Sequence, residues 1–168
     1  ANTYTAALGG FRVRHSASMR ERVGLALQAY RSAVRGAKDY RKQAEALAAA
    51  QWSIDDTRSF FLAVYSAHFG MIPSAPVTEA EEKRRARAVD TVAEWVANLG
   101  SPLNAAGPEG SAWAAFNAVS QWSDHKRRAV DTAGDGAAAA RTHSRLIGTG
   151  AQFKAQAWAS ALQLAEVR

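Results

Sequence analysis

The chain of 168 residues has no cysteine and a formal net charge of +6, a length that folds as one domain and buries roughly 70% of the surface its unfolded form exposes. Without cysteine, disulfides, thiolate zinc sites and thiol catalysis are excluded, which fits an intracellular protein. No apolar run approaches the roughly 20 residues of a membrane helix and no basic-then-apolar signal pattern opens the chain, so a soluble, cytoplasmic protein is expected.

The charge excess is local. Between Phe11 and Glu45 there are nine Lys/Arg against three Asp/Glu, and the rest of the chain balances. The first residue is not Met, which reads as a missing or processed N-terminus. Residues 1–17, with Gly9-Gly10 and then Phe11-Arg12-Val13-Arg14-His15 alternating apolar and basic, form an extended arm or an edge strand.

Ser18-Met19-Arg20-Glu21 is a capping box. The near-heptad stripe behind it, Val23, Leu27, Tyr30, Val34, Ala37, Ala44 and Ala48, extends the helix to about Gln51, on the order of 50 Å. Gly24 and Gly36 inside this rod predict close packing or a slight bend. A second cap, Ser53-Ile54-Asp55-Asp56, opens an aromatic-rich helix closed by Gly70. Met71 to Val77, with Pro73 and Pro76, is a linker. Thr78-Glu79-Ala80-Glu81 caps a third helix bearing Val89, Val92, Trp95, Val96 and Leu99 at helical spacing, and a Gly/Pro-rich loop follows it to Gly110.

Ser111 to Arg128 is the central helix. Stepping about 100° per residue, Asn117, Gln121, Asp124 and Arg128 share a narrow polar sector with His125 beside it. After a glycine-bearing break at Asp131 to Gly136, Ala137 to Ile147 is a thinly apolar helix. Gly148-Thr149-Gly150 breaks the chain again, with Gly150 allowing close packing, before a last helix carrying Phe153, Ala157, Leu162 and Leu164. Residues 1–168 thus predict a single all-α domain, a bundle of five or six helices with the long first helix as its spine.

The order of features resembles the phage- and plasmid-associated family called domain of unknown function 932. The matching pieces are Arg14-His15-Ser16, Trp113 with Asn117-Ala118-Val119, Asp124-His125, and the closing Gly148-Thr149-Gly150-Ala151 with Lys154 and Gln156. The resemblance runs through essentially the whole chain as the C-terminal half of a family whose members carry a more β-rich region upstream. It implies a cytoplasmic mobile-element product from a neighbourhood of DNA-handling genes, and no catalytic mechanism.

Three functions compete for these residues. Arg20, Arg31, Arg35, Lys38 and Lys42 fall within about 60° on the first helix, a row suited to a DNA or RNA backbone, with Arg127 and Arg128 as possible extensions. The first reading is therefore a non-enzymatic nucleic-acid-binding module. The alternative is a protein–protein interaction or self-association domain of a mobile-element factor acting on a host complex. Its exposed apolar patch is expected around Phe60, Phe61, Tyr65 and Phe69. An enzyme using Asp124 and His125 as a proton-transfer pair ranks third; against it, the stripe Asn117, Gln121, Asp124, His125 reads as a buried network tying helix ends together. Among the tryptophans Trp95, Trp113 and Trp122 are read as core and Trp52 as the candidate base-stacking platform. No cofactor, metal or membrane contact is expected.

Overall fold

The computed structural model describes residues 19–104, 107–127, 136–146 and 148–166. Six α-helices follow in order: α1 Met19–Ala49, α2 Ile54–Phe69, α3 Glu79–Leu99, α4 Ala112–His125, α5 Ala137–Leu146 and α6 Thr149–Glu166, with a 3-10 turn at Pro102–Asn104. The all-α bundle is as expected, and no strand is formed among the described residues. The arm at 1–17, Ser18 of the first cap, and Asp131 to Asp135 lie outside the described residues.

Local chemistry fixes the helix starts. Ser53 Oγ accepts from Asp56 N at 3.1 Å while the Asp56 carboxylate takes the Ser53 N–H at 2.9 Å, so two N–H groups that a helix start leaves unpaired are satisfied reciprocally. Thr78 and Glu81 repeat the device at α3, and Glu81 also accepts from Val77 N at 2.9 Å. Those main-chain bonds hold the Glu81 carboxyl below its usual range. Ser111 caps α4 by accepting from Ala114 N at 3.1 Å. Its hydroxyl donates to Pro108 O at 2.6 Å.

Helix α4 occupies the centre. Ala112, Ala114, Ala115, Phe116, Ala118, Val119, Trp122 and Ser123 are all buried. Small residues on most of its circumference let neighbours approach: α3 and α6 make its broadest contacts, and α1 and α2 also touch it. At its entry the chain after α1 pairs with it, Trp52 N donating to Gly110 O at 2.8 Å and Ala112 N to Ala50 O at 2.9 Å. Gly110 takes φ +72° there, a left-handed turn that favours glycine. Buried Asn98 and Asn104 clamp α4 from the side, donating at 3.0 Å to the carbonyls of Ala118 and Ala114.

Around α4 lies an aromatic core with Trp95 at its middle. Its fully buried ring meets Phe61 at 5.6 Å, Trp122 at 5.7 Å and Phe153 at 6.2 Å between centroids, mostly tilted or edge-on. Such arrangements suit the ring quadrupoles. Two expectations are corrected here. Phe60 and Phe61 are fully buried and Tyr65 nearly so, leaving Phe69 alone partly exposed, because the aromatic face of α2 is what closes the bundle over α3, α4 and α6. Trp52 is likewise buried, its ring against Phe60 at 5.2 Å, and offers no stacking platform.

Helix α1 is the longest rod, 31 residues, about 46 Å at 1.5 Å per residue. Among the described residues its hold on the bundle lies in its C-terminal half. Tyr40 stacks on Trp158 at 4.7 Å, Gln43 accepts from the Trp158 indole at 3.0 Å, and Leu47 is fully buried. Farther back, Leu27 and Tyr30 stand 50% and 68% exposed. The N-terminal half therefore flanks the bundle, and the central place falls to α4. Among the described residues a side chain at Gly24 would meet nothing within 4 Å, so of the two expectations there, close packing or a slight bend, no close packing is seen.

Candidate functional site

Two constellations emerge, one on α1 and one where α4, α5 and α6 meet. On α1, Arg31, Arg35, Lys38 and Lys42 are exposed. They share a sector about 60° wide and about 16 Å long, and among the described residues none of the four is ion-paired. The neighbouring Arg41 differs: it is tied to Glu45 at 2.7 Å, one turn on. The side chain of Arg20 and the whole of Arg128 lie outside the described residues.

The polar stripe of α4 splits among several neighbours. Gln121 Nε2 donates to Ser101 Oγ at 3.0 Å, joining α4 to the loop after α3. Asn117 is half-buried. The Asp124 carboxylate receives Lys154 Nζ of α6 at 2.8 Å, the two side chains 28% and 12% exposed. Its main-chain carbonyl accepts twice from the guanidinium of Arg145 on α5, once at 2.7 Å from Nε. His125 is exposed, and no hydrogen bond joins it to Asp124 among the described residues. An Asp–His proton-transfer pair needs the carboxylate on the imidazole; here Lys154 holds it.

Arg127 does not extend the basic row. Its guanidinium donates to Thr149 O at 3.0 Å and to His68 Nε2 at 2.9 Å, and lies 5.2 Å from the centroid of the Phe153 ring. Burial lowers this guanidinium from its ordinary value. For His68 Nε2 to accept from Arg127, the ring proton must sit on Nδ1, where Gln156 Oε1 accepts at 3.2 Å. The geometry thus selects a neutral His68. Burial lowers its pKa, the hydrogen bond to Gln156 raises it, and the charge of Arg127 lowers it further. Lys126 is drawn to Glu94, 3.8 Å away, and Glu94 also accepts from the Trp122 indole at 2.5 Å.

The start of α6 completes this junction. A Cβ at Gly150 would lie 2.8 Å from Ser144 O and 3.0 Å from Ser144 Oγ, and that hydroxyl accepts from Gly150 N at 3.2 Å. Glycine is required for this approach, as expected from the Gly-Thr-Gly break. Two adjoining contacts therefore make up the junction: Asp124 with Lys154 and Arg145, and Arg127 with Thr149 and with His68, which in turn meets Gln156. His68, Arg145 and Glu94 are the participants that periodicity did not single out.

The molecule is thus a small α-helical bundle about a buried central helix, with a basic rod on its flank and a polar junction at one end. Residues 1–155 match the model of the family described as domain of unknown function (DUF932). The chain belongs to that family. No curated protein and no solved structure matches it. No helix among the described residues is long and apolar enough to cross a membrane.

Proposed function

We propose that this protein is a non-enzymatic nucleic-acid-binding module of a phage- or plasmid-encoded, cytoplasmic protein. It engages the phosphate backbone of DNA or RNA through α1. The observation that supports this reading is the exposed row Arg31, Arg35, Lys38 and Lys42, free of acidic partners among the described residues on the helix that flanks the bundle. A phosphate recurs about every 3.4 Å along one strand, so a row about 16 Å long meets four or five phosphates. Contacts of this kind position the backbone and carry no base specificity. The Asp124 junction is then scaffold, holding α4, α5 and α6 in register.

The test is fluorescence anisotropy of labelled mixed-sequence single- and double-stranded DNA and RNA near ~50 mM salt, where phosphate contacts are strongest. Micromolar binding that collapses in the Arg31→Glu, Arg35→Glu, Lys38→Glu variant supports the reading. No binding to any of these probes, with the native chain folded by circular dichroism, overturns it.

A further inference from the structure

The face of α3 opposite the Asp124 junction carries an apolar surface that the bundle does not use. Val89 and Val96 stand 60% and 53% exposed although they belong to the helix's apolar arc, while Trp95 and Ala88 on the same arc are buried. The arc is wider than one packing seam requires. Together with Leu62 of α2, Ile72 of the linker and Val92, the two valines line a groove of about 430 Å³. A second groove of about 370 Å³ continues it past Met71 and Pro73, sharing Leu62, Ile72 and Arg85. From Arg85 to Val96 the channel follows α3 for about 16 Å, the length of three helical turns.

Its walls are cationic. Arg58 of α2 and Arg85 of α3 both line the groove, and Arg85 is held in place by donating to Ser74 O at 3.2 Å. The Arg58 side chain is exposed and makes no ion pair among the described residues. The acidic groups on that sector of α3, Glu81 and Glu82, do not line the groove, and the Glu81 carboxylate is taken up by the N–H groups of Val77 and Thr78. We infer that the groove between α2 and α3 receives a three-turn amphipathic helix of a partner protein, its apolar stripe on Val89, Val92 and Val96 and its flanking carboxylates on Arg58 and Arg85. A second copy of this chain is a poor occupant. Its exposed apolar side chains Leu27 and Tyr30, with half-buried Val34, are bordered by Arg31, Arg35 and Lys38, which would meet Arg58 and Arg85 with like charge. The inference is independent of nucleic-acid binding, since groove and basic row share no residue.

The experiment uses two synthetic helical peptides of about 14 residues, each with leucines at i, i+3, i+4, i+7 and i+11, one flanked by glutamates and its twin by lysines. Affinity is read by anisotropy and location by the methyl signals of Leu62, Val89, Val92 and Val96. The acidic peptide is expected to bind at least about tenfold more tightly than its twin, a difference of about 1.4 kcal/mol, and to shift those methyls. Val89→Glu with Val96→Glu should abolish this, and Arg58→Glu with Arg85→Glu should reverse the preference. Both pairs are at exposed positions, and thermal melts establish that each variant remains folded. Equal binding of the twins, shifts confined to α1, binding indifferent to either variant pair, or no binding overturns the inference. Nucleic-acid binding should survive Val89→Glu with Val96→Glu, separating failure of this site from failure of the basic row.

Discussion

Replacing Asp124 by Asn separates a scaffold role for the α4 junction from a chemical one. The substitution keeps the side-chain volume and leaves the main-chain carbonyl that Arg145 uses. It removes the charge opposite Lys154, whose side chain is only 12% exposed. Breaking a fully buried ion pair costs about 3–5 kcal/mol, and an exposed pair contributes about 0.2–1 kcal/mol. With one partner nearly covered and the other 28% exposed, a loss of about 1.5–3 kcal/mol is expected, between those limits. For a domain of this size that lowers the melting temperature by about 4–10 °C. Lys154→Met should cost less, because water can reach the uncovered part of the Asp124 carboxylate. The double variant should recover part of the sum, a coupling of about 1–2 kcal/mol in a thermodynamic cycle. His125→Ala, at an exposed position, should stay within about 0.5 kcal/mol of the native chain. Denaturant unfolding measures all four. An Asp124→Asn variant as stable as the native chain, or His125→Ala equally damaging, would refute the scaffold assignment.

Gly150→Ala places a methyl 2.8 Å from the Ser144 carbonyl, and overpacking of this kind should cost about 1–3 kcal/mol by denaturant melts. Gly24→Ala meets nothing among the described residues and should favour α1 by up to about 1 kcal/mol, seen as increased helicity by circular dichroism. His68, held neutral between Arg127 and Gln156, has its folded pKa below its ordinary value. Its contribution to stability is therefore full above an unfolded pKa of about 6.5 and is lost as pH falls through the folded value. Melts between neutral pH and about pH 5 should show this loss, and His68→Gln should remove that part of the slope; an unchanged slope would contradict the tautomer assigned here.

How much of this was legible beforehand depends on the range of each interaction. The caps at Ser53 and Thr78 act over three residues, and both lie where the sequence pattern puts them. The heptad-like stripe marked α1 as a long rod. Periodicity alone left open which neighbour each part of that stripe would meet, so Leu27 and Tyr30 look like core in the sequence and stand exposed in the fold. The same ambiguity, with opposite outcome, turned Phe60, Phe61 and Trp52 inward and left Val89 and Val96 outside. Helical angle gives a side chain's direction and says nothing of what lies in that direction. The junction pairs Asp124 with Lys154 and Arg127 with His68 across 30 and 59 residues. Only the packing of α2, α5 and α6 around α4 brings them together. The motif pieces Asp124-His125 and Gly148-Thr149-Gly150 with Lys154 and Gln156 were visible, but the contact of Asp124 with Lys154 was not.

The measurement that bears most directly on the central claim is the salt dependence of nucleic-acid affinity. Four engaged cations on α1 predict that log K falls with log salt at a slope of about −3.6 for duplex DNA, or about −2.8 for single strands. Each of Arg31→Gln, Arg35→Gln, Lys38→Gln and Lys42→Gln should reduce the magnitude of that slope by about 0.7–0.9 while the fold is unchanged. A slope that none of the four substitutions alters, or the absence of salt-dependent binding, would contradict the assignment of α1 as the nucleic-acid-binding surface.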